Sequence, residues 1–267
     1  MTNLNLETIT VTTDERGVAT LTLNRPEKHN ALNGTLIAEV HQAADTLAAD
    51  DSVRIVVFTG ADCGSFCAGG DFNWFKSVAS ASREVRKQGG LELANMLLAL
   101  NTMPKPLIGR INGSAYGGGT GMISVCDYSI GVTGARYGLT EVRLGLVAAT
   151  ISPYVVGRIG VPNARAVMLS GALFDAEKAG QMGLLNEVVA PKDLDTRVEA
   201  VVADHLQAAP GAVAETKKLI SYVSSHDTQE NIEYTATCIA DAWETDEGAT
   251  GIAAFLGKTL PPWRSGK

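Results

Sequence analysis

Five glycines fall within ten residues, Asn112-Gly113-Ser114-Ala115-Tyr116-Gly117-Gly118-Gly119-Thr120-Gly121, and no other stretch restricts the possible folds of this chain as much. The run follows an apolar segment at 107–111 that reads as a strand, and it opens a helical pattern at 118–126. Glycine has no Cβ, so backbone N–H groups there can come close to a ligand. The first N–H groups of a helix also lack intrahelical acceptors and lie at the positive end of its dipole. An anion, or an oxygen that gains negative charge, belongs at such a place. Glycines at 117, 118, 119 and 121 do not make the G-x-G-x-x-G dinucleotide fingerprint. Gly257-Lys258-Thr259 looks like the end of a P-loop, but Ile252 stands where the first glycine is required, which excludes nucleotide hydrolysis.

The segments around this run alternate in type. Apolar residues alternate from Ile9 to Leu23 about a turn at Asp14-Glu15-Arg16-Gly17, which predicts a hairpin. Helical spacing at 33–47 is followed by a buried strand at 53–58, and a second helix at 91–100 stops before Pro104 and Pro106. The fold class is therefore α/β. Beyond Pro191 the pattern is helical throughout, over 194–208, 212–223, 232–243 and 252–256, with a tail at Pro261-Pro262-Trp263. This predicts a core at 1–194 and a helical region at 195–267. The polar stretch at 74–90 reads as a mobile loop that supplies pocket walls.

Composition excludes several classes. A net charge of −7 with no dense basic run argues against nucleic-acid binding. No apolar stretch approaches the ~20 residues of a membrane span, and residues 1–13 lack the features of a signal peptide, so the expected location is the cytoplasm. Cys63, Cys67, Cys126 and Cys238 form no disulfide framework, and His29, His41, His205 and His226 are too scattered to complete a metal site.

Two other loops and one carboxylate share the character of the glycine run. Asn24-Arg25-Pro26-Glu27-Lys28-His29-Asn30-Ala31-Leu32 lies between strand and helix, with Asn30 or Asn33 as the N-cap, and reads on its own as a charged helix entry. Ser65-Phe66-Cys67-Ala68-Gly69-Gly70-Asp71 follows the 53–58 strand and exposes backbone N–H groups in the same way. No Ser-His-Asp spacing is present. Glu141 sits among apolar residues in Tyr137-Gly138-Leu139-Thr140-Glu141-Val142-Arg143-Leu144-Gly145-Leu146, where burial would raise its pKa towards that of a useful base. The other reading is a surface glutamate paired with Arg143.

Taken together, these loops and Glu141 resemble the crotonase (enoyl-CoA hydratase/isomerase) superfamily, in order and spacing and over nearly the whole chain. The resemblance implies a spiral of ββα units with a C-terminal helical region that builds trimers, often paired into hexamers. It also implies an acyl-CoA thioester substrate and no separate cofactor, because coenzyme A belongs to the substrate. The N–H groups of Gly70 and Gly118 match the family's oxyanion hole, and Glu141 matches the second of its two catalytic glutamates. Where the first glutamate belongs, this chain has Gly121.

With one carboxylate, either Glu141 both activates water and delivers the proton, or the enzyme moves a proton within its substrate as an isomerase. The segments 115–127 and 141–156 look most like bacterial methylglutaconyl-CoA and isohexenylglutaconyl-CoA hydratases, which favours hydration. A glycine at 121 is expected to leave space for a 3-methyl branch and to remove a charge that would repel an acidic acyl group, which Arg143 or Arg83 could pair with. By the same resemblance Lys28 and His29 contact the adenine and pantetheine, and Ala68, Asp71 and Phe72 line the thiol end. Phe255 and Lys258 match a tail that reaches a neighbouring subunit's CoA, whereas Asn73 replaces a lysine common in hydratases. A crotonase homologue that binds acyl-CoA without turnover, or a decarboxylase or thioester hydrolase on the same scaffold, are the remaining alternatives.

Overall fold

The computed structural model describes residues 2–264; the outermost positions of the expected 1–194 and 195–267 regions lie outside the described residues. The chain opens with β1 (Leu4–Asn5) and the predicted hairpin β2 (Ile9–Thr13) and β3 (Val18–Leu23), whose turn puts Gly17 at φ 79°. Helix α1 (Gly34–Ala49) buries Leu36, Ile37, Val40, Ala43, Ala44 and Leu47, the apolar set seen in its sequence spacing. Its cap is Asn33, whose side chain accepts from Leu36 N at 2.8 Å, so of the two asparagines considered Asn30 is not the cap.

Three long strands then alternate with three short ones. They are β4 (Ile55–Gly60) with β5 (Ser65–Cys67), β6 (Leu107–Ile111) with β7 (Ser114–Tyr116), and β8 (Tyr128–Val132) with β9 (Arg136–Gly138). Helices α2 (Phe72–Ser80) and α3 (Arg83–Thr102) follow the first pair, α4 (Gly118–Ser124) interrupts before the third, and α5 (Ser152–Met168) follows it. After α5 come β10 (Phe174–Asp175), α6 (Ala176–Gln181) and β11 (Glu187–Val189).

The long strands join a seven-stranded sheet of order β1-β2-β3-β4-β6-β8-β11, parallel from β3 onward, and the short strands join a second sheet of order β10-β9-β7-β5. Each turn of chain thus contributes one strand to each sheet before its helix, the ββα spiral of the expected fold. Every residue of β4 is buried, as a central parallel strand covered on both faces requires. Because the short strands β5, β7 and β9 are parallel neighbours, the loops leaving them emerge side by side. Those loops begin at 68, 117 and 139.

The 74–90 stretch is helix and not the mobile loop its polarity suggested. Asp71 caps α2, accepting from Asn73 N at 2.9 Å and Trp74 N at 3.2 Å, and Ser82 caps α3, accepting from Val85 N at 3.3 Å. The two caps stabilise helices whose first turns are mostly exposed. In the helical C-terminal portion, α7 (Leu194–Leu206) buries Leu194, Val198, Val201 and Val202 in the core beside β6 and β8. Helices α8 (Pro210–Ser225), α9 (Thr228–Glu244) and α10 (Asp246–Gly257) bury only Ala254 among their described residues. The tail docks instead of trailing: Arg54 Nη1 donates to Trp263 O at 3.0 Å.

Candidate active site

Four segments converge where the short strands end, and Leu32 holds two of them together. Its N–H donates to Gly69 O at 2.7 Å and its carbonyl accepts from Asp71 N at 2.8 Å, which forms a one-residue bridge to Gly70. Gly69 has φ 88° at this crossing, a conformation that an L side chain strains. Ala68 N donates to His29 O at 3.0 Å and fixes the same two loops one residue further along. Asn30, fully buried, pins the first loop from beneath. Its Oδ1 accepts from Arg25 N at 3.0 Å, and its Nδ2 donates to Ala61 O at 3.0 Å and Ser65 O at 3.1 Å.

The Leu32 side chain meets the glycine run. A Cβ on Gly118 would lie 2.3 Å from Leu32 Cδ1, and one on Gly119 would lie 2.5 Å from Cys67 O. Only glycine lets α4 approach β5 this closely. Gly117, at φ 50°, donates to Gly138 O at 2.9 Å and turns the chain into α4, where Gly118 is the first residue and its N–H has no intrahelical acceptor. Among the described residues the N–H groups of Gly70 and Gly118 have no acceptor, and Leu32 touches both positions. Leu32, whose place in the quoted motif gave no hint of it, thus lies against both of the positions that the resemblance pointed to.

Glu141 begins the 3-10 turn Glu141–Leu144 that follows β9. Its Oε1 lies 3.0 Å from where a Cβ on Gly117 would be, and its Oε2 is buried with no hydrogen-bond partner. Burial raises the carboxyl above the ordinary glutamate value, opposed only by a hydrogen bond from its own backbone N–H. The alternative pairing with Arg143 is not formed, since Arg143 Nε donates to Ser170 O at 3.3 Å. A carboxylate set against Gly117, next to the free N–H of Gly118, can accept a proton while an oxygen at that N–H gathers charge.

At Gly121 the expected free space is absent. A Cβ there would lie 2.4 Å from Ile151 Cγ2 and 2.8 Å from Ile151 Cβ, so a buried isoleucine fills the place. That corrects the expectation of room for a substrate branch at this point.

The remaining site candidates divide in two. Lys28 and His29 are exposed at the rim of the first loop, with His29 in the left-handed region, and Ala68 is half-buried beside them. Asp71 is not a free ligand for substrate, because its carboxylate caps α2 and accepts from Arg25 Nη2 at 3.0 Å with both side chains largely buried. Phe72 and Phe255 are each 81% exposed, and Lys258 ends α10 in the left-handed region. Neither Phe255 nor Lys258 forms a hydrogen bond or ion pair with the Gly70, Gly118 and Glu141 group among the described residues. Among those residues no cluster of three or more His, Cys, Asp or Glu could hold a metal, and no helix is long and apolar enough to cross a membrane.

The Arg25–Asp71 pair is the strap that ties the first loop to the second, since Arg25 also donates through Nη1 to Ala31 O at 2.5 Å. Asp71→Ala leaves a largely buried guanidinium unpaired and uncaps α2, and is expected to cost about 3–5 kcal/mol in urea denaturation. Backbone donation from Trp74, with Arg25 adding to it, holds the Asp71 carboxyl below the usual range. Its share of stability is therefore fully present above about pH 4 and is lost as pH falls through the depressed folded-state value. Asp71→Ala should flatten that acid dependence.

The sequence profile of the family described as "Enoyl-CoA hydratase/isomerase" matches residues 13–266. A putative enoyl-CoA hydratase from Thermus thermophilus is 33% identical over 250 residues, covering 92% of this chain and 98% of that protein. Among solved structures, Pseudomonas aeruginosa AtuE superposes with a TM-score of 0.93 at 33% identity, covering 97% of this chain and 100% of AtuE. An enoyl-CoA hydratase from Shewanella pealeana superposes with a TM-score of 0.93 at 32% identity, over 97% of this chain and 96% of its own.

Proposed function

The chain belongs to the enoyl-CoA hydratase/isomerase family, and on that premise we propose that it adds water across the α,β double bond of an enoyl-CoA thioester. The observation that carries this reading is the Glu141 carboxyl, with Oε2 buried and unpartnered, set against Gly117 next to the free N–H of Gly118. The thioester oxygen accepts from the N–H groups of Gly70 and Gly118. Ionised Glu141 takes a proton from water as the water oxygen bonds to the β-carbon, and the double-bond electrons move onto the thioester oxygen. The enolate then returns its electrons to the α-carbon, which takes the proton from Glu141 and leaves the carboxylate as it began. Removing one preset donor of this kind typically costs ~3–4 kcal/mol of barrier, and a placed acid–base group contributes ~10²–10⁴-fold.

A second reading follows from the glycine at 121. A single carboxylate suffices to carry a proton between the α- and γ-carbons, which is isomerisation without water. Mass-resolved products from a panel of enoyl-CoA thioesters separate the cases. Gain of one water supports hydration, an unchanged mass with a moved double bond supports isomerisation, loss of CO₂ marks a decarboxylase, and free CoA a thioester hydrolase. Unchanged substrate across the panel rejects catalysis and leaves an acyl-CoA-binding protein.

We take the substrate to be a branched enoyl-CoA with a distal carboxylate, of the 3-methylglutaconyl type. The motif resemblance at 115–127 and 141–156 supports it, as does the lack of a second negative charge at 121. Arg143 and Arg83 form no ion pair among the described residues and remain available to the distal carboxylate. The expected kcat/KM for 3-methylglutaconyl-CoA exceeds that for crotonyl-CoA. A ratio at or below one removes this substrate and keeps the hydratase.

Of the expected 195–267 region, α7 belongs to the core, and α8 to α10 we read as the assembly region of a cytoplasmic trimer or hexamer. Ile232, Ile239, Trp243, Phe255 and Leu256 are exposed in the single chain and supply apolar surface for it. In that arrangement Lys28 and His29 meet the CoA of their own chain, and Phe255 and Lys258 reach that of a neighbour.

A further inference from the structure

Gly117 caps α4 and Gly121 lies in its first turn, joined to it by a hydrogen bond from Gly121 N to Gly117 O at 3.1 Å. A Cβ on Gly117 would meet Glu141 Oε1 at 3.0 Å. A Cβ on Gly121 would meet Ile151 Cγ2 at 2.4 Å and Ile151 Cβ at 2.8 Å, both closer than any Cβ tolerates. Ile151 cannot easily retreat. It is 3% exposed, and its carbonyl accepts from Tyr154 N at 3.2 Å and Val155 N at 3.0 Å at the start of α5. Its β-branched side chain has little rotamer freedom to give up the contact.

We propose that Ile151 is the positioning residue that makes this a one-carboxylate site. It fills the place beside Gly121, one turn from the Gly117 that Glu141 faces, excludes any side chain there, and closes that side of the site with an apolar wall. The proposal rests on the reading of Glu141 as the proton-transfer group. An apolar wall offers no polar partner to a second ordered water, so proton traffic stays with Glu141. It also dictates that the part of the acyl group facing it is alkyl. Recovering a second acid therefore takes two substitutions, one at 121 and one at 151.

Four variants test this: Gly121→Ala, Ile151→Gly, the two combined, and Gly121→Glu with Ile151→Gly. Gly121→Ala alone is expected to lower Tm by roughly 5 °C through overpacking. In the Ile151→Gly background the same alanine should cost nothing or raise Tm. An unchanged Tm for Gly121→Ala, or purely additive effects in the pair, overturns the proposal. Should Ile151→Gly not fold, Gly121→Ala by itself still decides. The Gly121→Glu, Ile151→Gly protein should gain a basic limb in its kcat/KM profile, making a bell where the parent shows the acid limb of Glu141 alone, whereas Gly121→Glu alone should not. No basic limb in the double variant, or a basic limb in Gly121→Glu alone, also overturns it. If the parent protein turns over no enoyl thioester, the hydratase reading fails while the Tm comparison still judges Ile151.

Discussion

Glu141→Gln is expected to lower kcat by ~10³–10⁴-fold while CoA-thioester affinity stays within a few-fold, a barrier increase of about 4–5.5 kcal/mol. Glutamine keeps the shape and the contact against Gly117 but cannot accept the proton of water. The loss should fall on kcat because the interaction belongs to the transition state and not to binding. Burial places the Glu141 carboxyl above the ordinary glutamate value, so the parent enzyme should lose kcat/KM as pH falls through that raised value and the base becomes protonated. In the Gln variant the same acid limb should vanish. Stopped-flow or steady-state absorbance of the conjugated enoyl thioester, measured against pH, reads both effects. A variant that keeps more than about a tenth of parental kcat, a barrier change of only ~1.4 kcal/mol, removes Glu141 from the chemistry.

The parts of the site that were legible in the sequence are those whose signal is local. Gly117, Gly118 and Gly119 announce a close approach because no other residue permits one, and Glu141 stands out as a lone acid in an apolar, glycine-punctuated stretch. Helix α1 was legible residue by residue, because its six buried positions share one face. The groups that hold the site together are spread along the chain and carry no local mark. Arg25 and Asp71 pair across 46 positions, Leu32 reaches both Gly70 and Gly118, and Ile151 occupies the space beside Gly121 from 30 residues away. A glycine in a motif thus says that something must come close, not what does. At Gly121 the difference reversed the inference, from free space to a filled one. The 74–90 stretch failed for another reason. Its polarity suggested a loop, whereas Asp71 and Ser82, both ordinary capping residues, were present to start two helices.

Gly118→Val is expected to abolish measurable turnover, a fall of more than ~10³-fold, in a protein that still folds. Loss of one preset donor typically costs ~10²–10³ in kcat. Here the effect should be larger, because the new Cβ would meet Leu32 Cδ1 at 2.3 Å, and Leu32 is 2% exposed with nowhere to move except along its own backbone. That backbone is the strand partner of Gly70, bonded to Gly69 O and Asp71 N on either side of it. One side chain at 118 therefore displaces both donors. Overpacking of this kind costs roughly 1–3 kcal/mol of stability, too little to unfold a domain of this size. Gly70→Ala supplies the contrast: its Cβ would come no closer than 3.7 Å, to Phe75 Cδ2 and Trp74 Cζ3, an ordinary contact, and the N–H remains. It should keep most of the activity. Circular dichroism and Tm establish folding for each variant, and kcat on the preferred enoyl thioester then decides. A folded Gly118→Val protein with parental kcat would mean that the thioester oxygen does not lie between Gly70 and Gly118, and that the Leu32 bridge supports structure alone.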